Sequence, residues 1–452
     1  MKTNMTYVIL SEAKDLLLST GSRSLAALRM TALVALTSLA SSLNAQTVAI
    51  TGGKVYPVSG PAIDNATVLI VNGRIAAVGQ SVQVPANARR IDAAGKWVTP
   101  GLINASTTLG VAEITLSAGQ VDASATGEKG VAASFRVWEG FNPAAAFLPA
   151  ARNDGVTTVG VLPGRGLVQG QAAAVDLVDG SLSDMMLKGP IAMVGDISNV
   201  SGTAGARGEV IARWRELLRD ARAYNTRRAQ YEAGQSRDLF ASRADLEALV
   251  PVVNGTLPLW LVADRASDIE AALTLAREFA PMKVGILSGA EAWMVADKLA
   301  AARVPVIVGA MNNIPGSFNT LGARQENAGL LRARSVNVVL IGNGAGDAGG
   351  FNVGNLRYDA GNAVAYGMSW DDALRAITLA PAEAMGVADR VGSLAVGKLA
   401  NVVVWSGDPF EFTSVPEHVL VHGREFDRPT RDEELTNRYK TQPPKYGRPP
   451  SP

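Results

Sequence analysis

From Thr47 to Ile91 apolar positions alternate with polar ones or gather in short β-branched groups, VAITGGKVYPV, ATVLIVNG and RIAAVG. This pattern predicts strands with no helices between them. Asn72-Gly73, set between two such runs, predicts a tight hairpin, because both central residues of that turn need positive φ. The same texture returns near the other end, in GSLAVGKLANVVVWSGDP and VPEHVLVHGREF. Each all-β piece has an apolar face that it cannot bury alone, so the simplest arrangement joins the two in one discontinuous β-sandwich.

Between them, residues 98–385 alternate short apolar runs with helical patterns, as a parallel β/α architecture requires. The runs WVTPGLINA, VTTVGVL, AAAVDLV, PIAMVGDI, PLWLVA, KVGIL, VPVIVG and VNVVLIG predict eight strands. The expected fold class is therefore α/β, a (β/α)8 TIM-type barrel plus the composite β-sandwich. Helices are expected at SDIEAALTLAREF, AEAWMVADKLAAA and SWDDALRAIT, where apolar residues recur at helical spacing behind an Asp or Ser. A longer, arginine-rich connection runs from Gly205 to about Val250. Its stripe of Ile211, Trp214, Leu218 and Ala221 predicts an amphipathic helix lying on the barrel with a solvated basic face.

The expected boundaries are a leader at 1–45, the sandwich from 46–97 and 386–428, the barrel at 98–385 and a proline-rich tail at 429–452, extended from KTQPPKYGRPPSP onward. In the leader, Arg23 and Arg29 precede the apolar run Met30–Ala40, and Ala45 offers a small residue for cleavage. The run is shorter than the roughly 20 residues that span a bilayer. A periplasmic or secreted protein with no stable membrane span after cleavage is expected.

Composition narrows the chemistry. A formal net charge of +1 gives no electrostatic footprint for nucleic acid. Cysteine is absent, which removes disulfides, thiolate metal sites and cysteine nucleophiles. There are only two histidines, His418 and His422, both in the strand-like PEHVLVHG. A site built on several imidazoles must come from that supply.

The run WVTPGLINASTTLG at 97–110 resembles the first barrel strand of the amidohydrolase superfamily, especially its imidazolonepropionase-like members. ALRAITLAPAEAMGVADRVGSLAVGKLANVVVWSGDP at 373–409 is similar to that family's last barrel helix and return into the sandwich, and GGKVYPVSGPAIDNATVLIVNGRIAAVG to its opening strands. The resemblance implies a metal-dependent hydrolase of amide, lactam or related bonds. One or two divalent ions would sit at the C-terminal mouth of the barrel, making a bound water acidic enough to attack at neutral pH.

It also implies ligand positions, and here the chain departs from the pattern. The His-x-His pair of strand one falls on Ser106 and Thr108, the strand-five histidine on Val262 and the strand-six histidine on Ser288. Strand four ends near Asp196 and Ser198, while Lys188 sits at its beginning, the wrong end for the site. The strand-eight acid has a counterpart only in Asp347, with Asn343 and Gly344 at the strand end itself. Hydroxyls and an aliphatic side chain are poor substitutes for imidazole at a zinc site.

The expected function is thus an amidohydrolase-type protein degenerate at its metal centre, acting as a small-molecule binding protein or as partner to a histidine-complete homologous subunit, with no cofactor. The alternative is a hydrolase of non-peptide C–N bonds with Asp347 and Asp264 as acid or base, and a divalent ion held only in that case. Glu113, Asp196, Asp264 and Asp347 can converge at the mouth, or each can serve as a loop or cap carboxylate, Asp264 pairing with Arg265. His418 and His422 read as strand histidines, the glycines of LPGRGLVQGQ as a turn, NGAGDAGGFNVGN as a pocket-lining loop, and Trp138, Trp260 and Trp293 as packing elements.

Overall fold

The computed structural model describes residues 47–113, 121–198, 205–235, 237–311, 313–342, 352–426 and 429–440. The leader, Asn343 and Asp347 lie outside the described residues.

The two all-β pieces meet in one sheet. Its strands are β1 (Thr47–Val55), β2 (Ile63–Val71), β3 (Arg74–Gly79), β4 (Arg89–Asp92) and β5 (Trp97–Pro100), joined by β14 (Val402–Trp405), β15 (Pro416–Val421) and β16 (Arg424–Glu425). The order is β16-β15-β14-β5-β1-β2-β3, with β4 beside β1. The seam is the antiparallel pair β5 and β14, in which Val98 faces Val404. Val48, Ile50, Ile70, Val98, Val402 and Leu420 form the buried layer that neither piece can complete alone. The expected hairpin joins β2 to β3, with Asn72 at φ 52° and Gly73 at φ 74°.

WVTPGLINA is not one strand. Pro100 ends β5, the Gly101 N–H turns to the Asn401 carbonyl, and β6 (Leu102–Thr107) starts the second sheet. That sheet continues through β7 (Val156–Val161), β8 (Val168–Asp176), β9 (Met186–Asp196), β10 (Leu259–Ala263), β11 (Val284–Ser288), β12 (Val306–Val308) and β13 (Val338–Leu340), in sequence order, as a nearly closed barrel. All eight predicted runs contribute to it, with one correction. β8 lies antiparallel to both β7 and β9, whereas the remaining neighbours are parallel. The reason is the length of the connections. A parallel return needs a crossover of a dozen or more residues, and only Leu162–Leu167 separates β7 from β8.

Helices pack outside. After α1 (Leu148–Asn153) and the single turn α2 (Leu182–Met185), the arginine-rich connection forms α3 (Arg207–Glu232) and α4 (Arg243–Val253). α3 buries Val210, Trp214, Leu217, Leu218, Ala221 and Tyr224, a stripe at helical spacing close to the expected one, with Ile211 at its edge. The predicted helices appear as α5 (Ala266–Glu278), a 3₁₀ turn leading into α6 (Ala296–Ala301), and, after α7 (Asn327–Ala333) and α8 (Leu356–Ala365), α9 (Trp370–Ala376), whose first turn is capped by Ser369. α10 (Leu379–Ala384) closes the far end of the barrel, where Ala380, Ala382 and Met385 join the interior cluster of Ile103, Ala192 and Trp260.

The C-terminal segment carries a helix, α11 (Arg431–Lys440), and the run expected as extended lies almost wholly outside the described residues. Thr430 and Glu433 form a reciprocal cap at its start. Among the described residues no helix is long and apolar enough to cross a membrane.

Candidate functional site

Parallel strands bring their C-terminal ends to one rim, so the side chains at the last positions of β9, β10 and β11 share a mouth. The register sets Asp196 opposite Val262, and Ala263 opposite Ser288. One residue past β10, the Asp264 carboxylate accepts a 2.5 Å hydrogen bond from Ser288 Oγ and a longer one, 3.3 Å, from the Ala290 N–H. Ser288 sits at φ 77°, outside the strand region, where the chain leaves β11 to turn beneath Asp264. On the other side Asp196 accepts from the N–H and Oγ of Ser198, at 2.7 and 2.8 Å, and its carbonyl accepts from the Trp214 indole at 3.0 Å.

Asp264 does not pair with Arg265, whose guanidinium donates to the Phe318 carbonyl. Glu113 does not join Asp264 either. It accepts from Asn142 Nδ2 and the Ala146 N–H. The expected convergence of acids therefore reduces, among the described residues, to Asp196 and Asp264, to which the structure adds Glu291. Glu291 binds the N–H groups of Ala266 and Gly322 and adds negative charge near Asp264. Nothing in its local sequence marks that role, beyond its place three residues after Ser288.

Burial dominates at Asp264, raising its carboxyl above the usual 3.8, and Asp196 and Glu291 act in the same direction against the opposing donors Ser288 and Ala290. The sign for stability follows. An acid whose pKa is raised by folding contributes stability that is intact below its unfolded value of about 3.8 and lost as pH rises through the elevated folded one. Asp264→Asn keeps an acceptor for both donors without the charge. Its Tm should therefore gain on the wild type as pH rises from strongly acid through that interval, then hold a constant lead. Parallel Tm profiles for the two proteins across the acidic range would remove burial as the governing influence.

The strand-one positions carry no metal donor. Ser106 is half-buried at the end of β6, its N–H directed at Asn104 Oδ1 (3.3 Å), and Thr108 Oγ1 is buried with no hydrogen-bond partner among the described residues. Val262 packs on the apolar barrel interior of Ile103, Ala105, Val194 and Leu287. A divalent ion needs several lone pairs at about 2 Å, and among the described residues this rim offers aliphatic carbon at Val262 and a carboxylate, Asp264, already engaged by Ser288. Among the described residues no three of His, Cys, Asp and Glu gather in a group able to hold a metal. Among the described residues, the donor set does not fit the implied ion.

The histidines serve the other sheet. His418, on β15, meets Glu425 at 2.5 Å. His422 lies in the β15–β16 turn at φ 51°, a correction to its strand assignment, and its Nε2 approaches Asp176 Oδ2 at 2.6 Å. Asp176 ends β8 at the closed end of the barrel, away from the mouth. Lys188, also at that end, rests on the carbonyls of Met385 and Gly386. Trp138 covers Gly189, Trp260 is buried in the barrel, and Trp293 donates to the Gly322 carbonyl, so all three are packing elements.

Residues 283–426 match the model of the Amidohydrolase family, a range that includes the 373–409 stretch. The chain is 24% identical to the imidazolonepropionase of Acidiphilium cryptum (strain JF-5) over 374 residues, 77% of this chain and 89% of that one. It is 33% identical to the amidohydrolase tasK of Hapsidospora irregularis over 79 residues, 17% of this chain and 8% of that relative's length. Among solved structures, an amidohydrolase from Thermotoga maritima MSB8 superposes with a TM-score of 0.76 at 26% identity, covering 84% of this chain and all of that one. Molinate hydrolase superposes with a TM-score of 0.53 at 22% identity, covering 85% and 95%, which is a likeness of fold.

Proposed function

We propose that this chain, which belongs to the amidohydrolase superfamily, is a member whose metal centre has been dismantled and whose barrel mouth now holds a small molecule without hydrolysing it. One observation carries the reading. At two positions that the resemblance assigns to imidazoles, Val262 packs its carbon on the barrel interior and Ser288 donates to Asp264. A scaffold survives loss of its chemistry because packing and site are separate demands on the sequence. The mouth keeps polar groups suited to holding a ligand, among them Asp264, Asp196 and the hydroxyl of Ser106. A histidine-complete homologue is the partner such a protein would assist, and the Arg23–Ala45 pattern adds export to the proposal.

The rival keeps hydrolysis of a non-peptide C–N bond at a metal-free site, and the short Ser288–Asp264 hydrogen bond favours it over any metal-bound scheme. In that reading Asp264, held above the usual carboxylate range, is the proton acceptor. Purified protein should be analysed for bound metal and assayed on lactams, cyclic imides and N-acyl amino acids, with and without chelator. The proposal expects sub-stoichiometric metal and no turnover. Turnover that survives chelation and falls by about 10²–10⁴-fold in Asp264→Ala would establish the rival. Stoichiometric metal with chelator-sensitive turnover would overturn both.

A further inference from the structure

At the closed end of the barrel, opposite the mouth, a cavity of about 970 Å³ opens beside the starts of β10–β13. Pro258, Lys283, Pro305 and Asn337, each just before a strand, line one side, and Met385 and Gly386 after α10 line the other. Barrels of this type keep their ligand chemistry at the mouth and use this face for stability. The volume lies at the upper end of the range of small-molecule pockets, far beyond a packing defect.

The wall has two chemical halves. Ile191, Leu273, Met282, Val284 and Met385 supply an apolar floor together with Trp260, which is 1% exposed. The rim carries Lys188, Arg277, Lys283, Lys298 and Arg303 against a single carboxylate, Glu383. Lys298 is paired with Glu270, and Glu383 with Arg375. Among the described residues the other four cations make no ion pair. The chain as a whole is close to neutral at +1, so this excess of unpaired positive charge is a matter of placement and not of composition.

A ligand that satisfies both halves has an anionic head for the rim and an aliphatic body for the floor. The geometry points to a second binding site for amphipathic monoanions of the alkyl-carboxylate class, independent of the mouth. The body would lie over Trp260 and displace water from carbon, while the head would sit among Lys188, Lys283 and Arg303 and neutralise charge that no carboxylate among the described residues now meets.

The full chain should be titrated with sodium decanoate, followed by calorimetry and tryptophan emission, beside butyrate and decan-1-ol. Decanoate should saturate at one equivalent and bind at least about tenfold more tightly than either control, because butyrate lacks the body and the alcohol lacks the charge. The double variant Lys283→Glu/Arg303→Glu, both exposed side chains, should keep the wild-type Tm and lose decanoate affinity by about tenfold or more. Trp260→Phe should abolish most of the emission change, and Asp264→Asn should bind as wild type. The inference fails if decan-1-ol matches decanoate, if the charge-reversed protein binds equally, if Asp264→Asn removes binding and so moves the ligand to the mouth, or if no saturation occurs.

Discussion

Asp176→Ala should cost about 3–5 kcal/mol of folding stability, measured by guanidinium denaturation at neutral pH. Asp176 is fully buried at the end of β8 and accepts from three groups, Thr158 Oγ1 at 2.5 Å, His422 Nε2 at 2.6 Å and Asn401 Nδ2 at 3.3 Å. Thr158 belongs to the barrel, whereas Asn401 and His422 belong to the C-terminal return into the other sheet, so one carboxylate ties the two sheets together. Removing it strands buried donors that water cannot reach, each costing about 1–3 kcal/mol. His422→Ala takes the partner from Asp176 Oδ2 but leaves Thr158 and Asn401 donating to Oδ1, so it should lose less, about 1–3 kcal/mol. A loss for Asp176→Ala no larger than that of His422→Ala would show that the carboxylate is not the tie.

Trp214→Ala should be comparably severe, also about 3–5 kcal/mol, for a different reason. The indole is fully buried at the centre of the α3 stripe and lies against β9 at Gly195, where an added Cβ would stand 2.5 Å from its Cζ2. Glycine on the strand and tryptophan on the helix are thus one device, the missing side chain making room for the ring. The Nε1–H also holds the Asp196 carbonyl, so this helix braces a strand end of the mouth. Alanine leaves a cavity of indole size and an unmet carbonyl. Trp214→Phe fills most of the space but not the hydrogen bond, and should lose about half as much. Calorimetric unfolding of both variants tests the pair, and equal losses for Phe and Ala would mean that the ring's volume contributes little.

The burial of Trp214 was legible as part of a helical stripe, but its fit against Gly195 and the role of Asp176 lie beyond what the sequence displays. Asp176 stood inside AAAVDLV, expected as a strand of a parallel barrel, and gave no sign of its role because its partners are 18, 225 and 246 positions away. The mouth was more legible. The β/α rhythm placed Asp196 and Asp264 near strand ends, the family resemblance singled out Val262 and Ser288, and the register brings the four to adjacent positions. That Asp264 would take Ser288 and not Arg265 depended on the left-handed turn at Ser288, which no local preference of serine announces. Glu291 and the cavity below Trp260 escaped notice for the same kind of reason. Each consists of side chains from several elements, none unusual in its own segment.

What the chain's order of residues determined alone was periodicity and supply. Alternation, hairpin chemistry and helical stripes depend on near neighbours, so the two flanking β pieces, the β/α middle and the α3 stripe could be read directly. The scarcity of imidazole is likewise a count, and it alone bounds the metal chemistry. What only the tertiary structure decided was direction and pairing: the reversed β8, the break between β5 and β6, the Asp264–Ser288 and Asp176–His422 contacts, and the charge gathered at the barrel's closed end. These depend on strand register and on connection length, and both are set when distant segments settle their packing together.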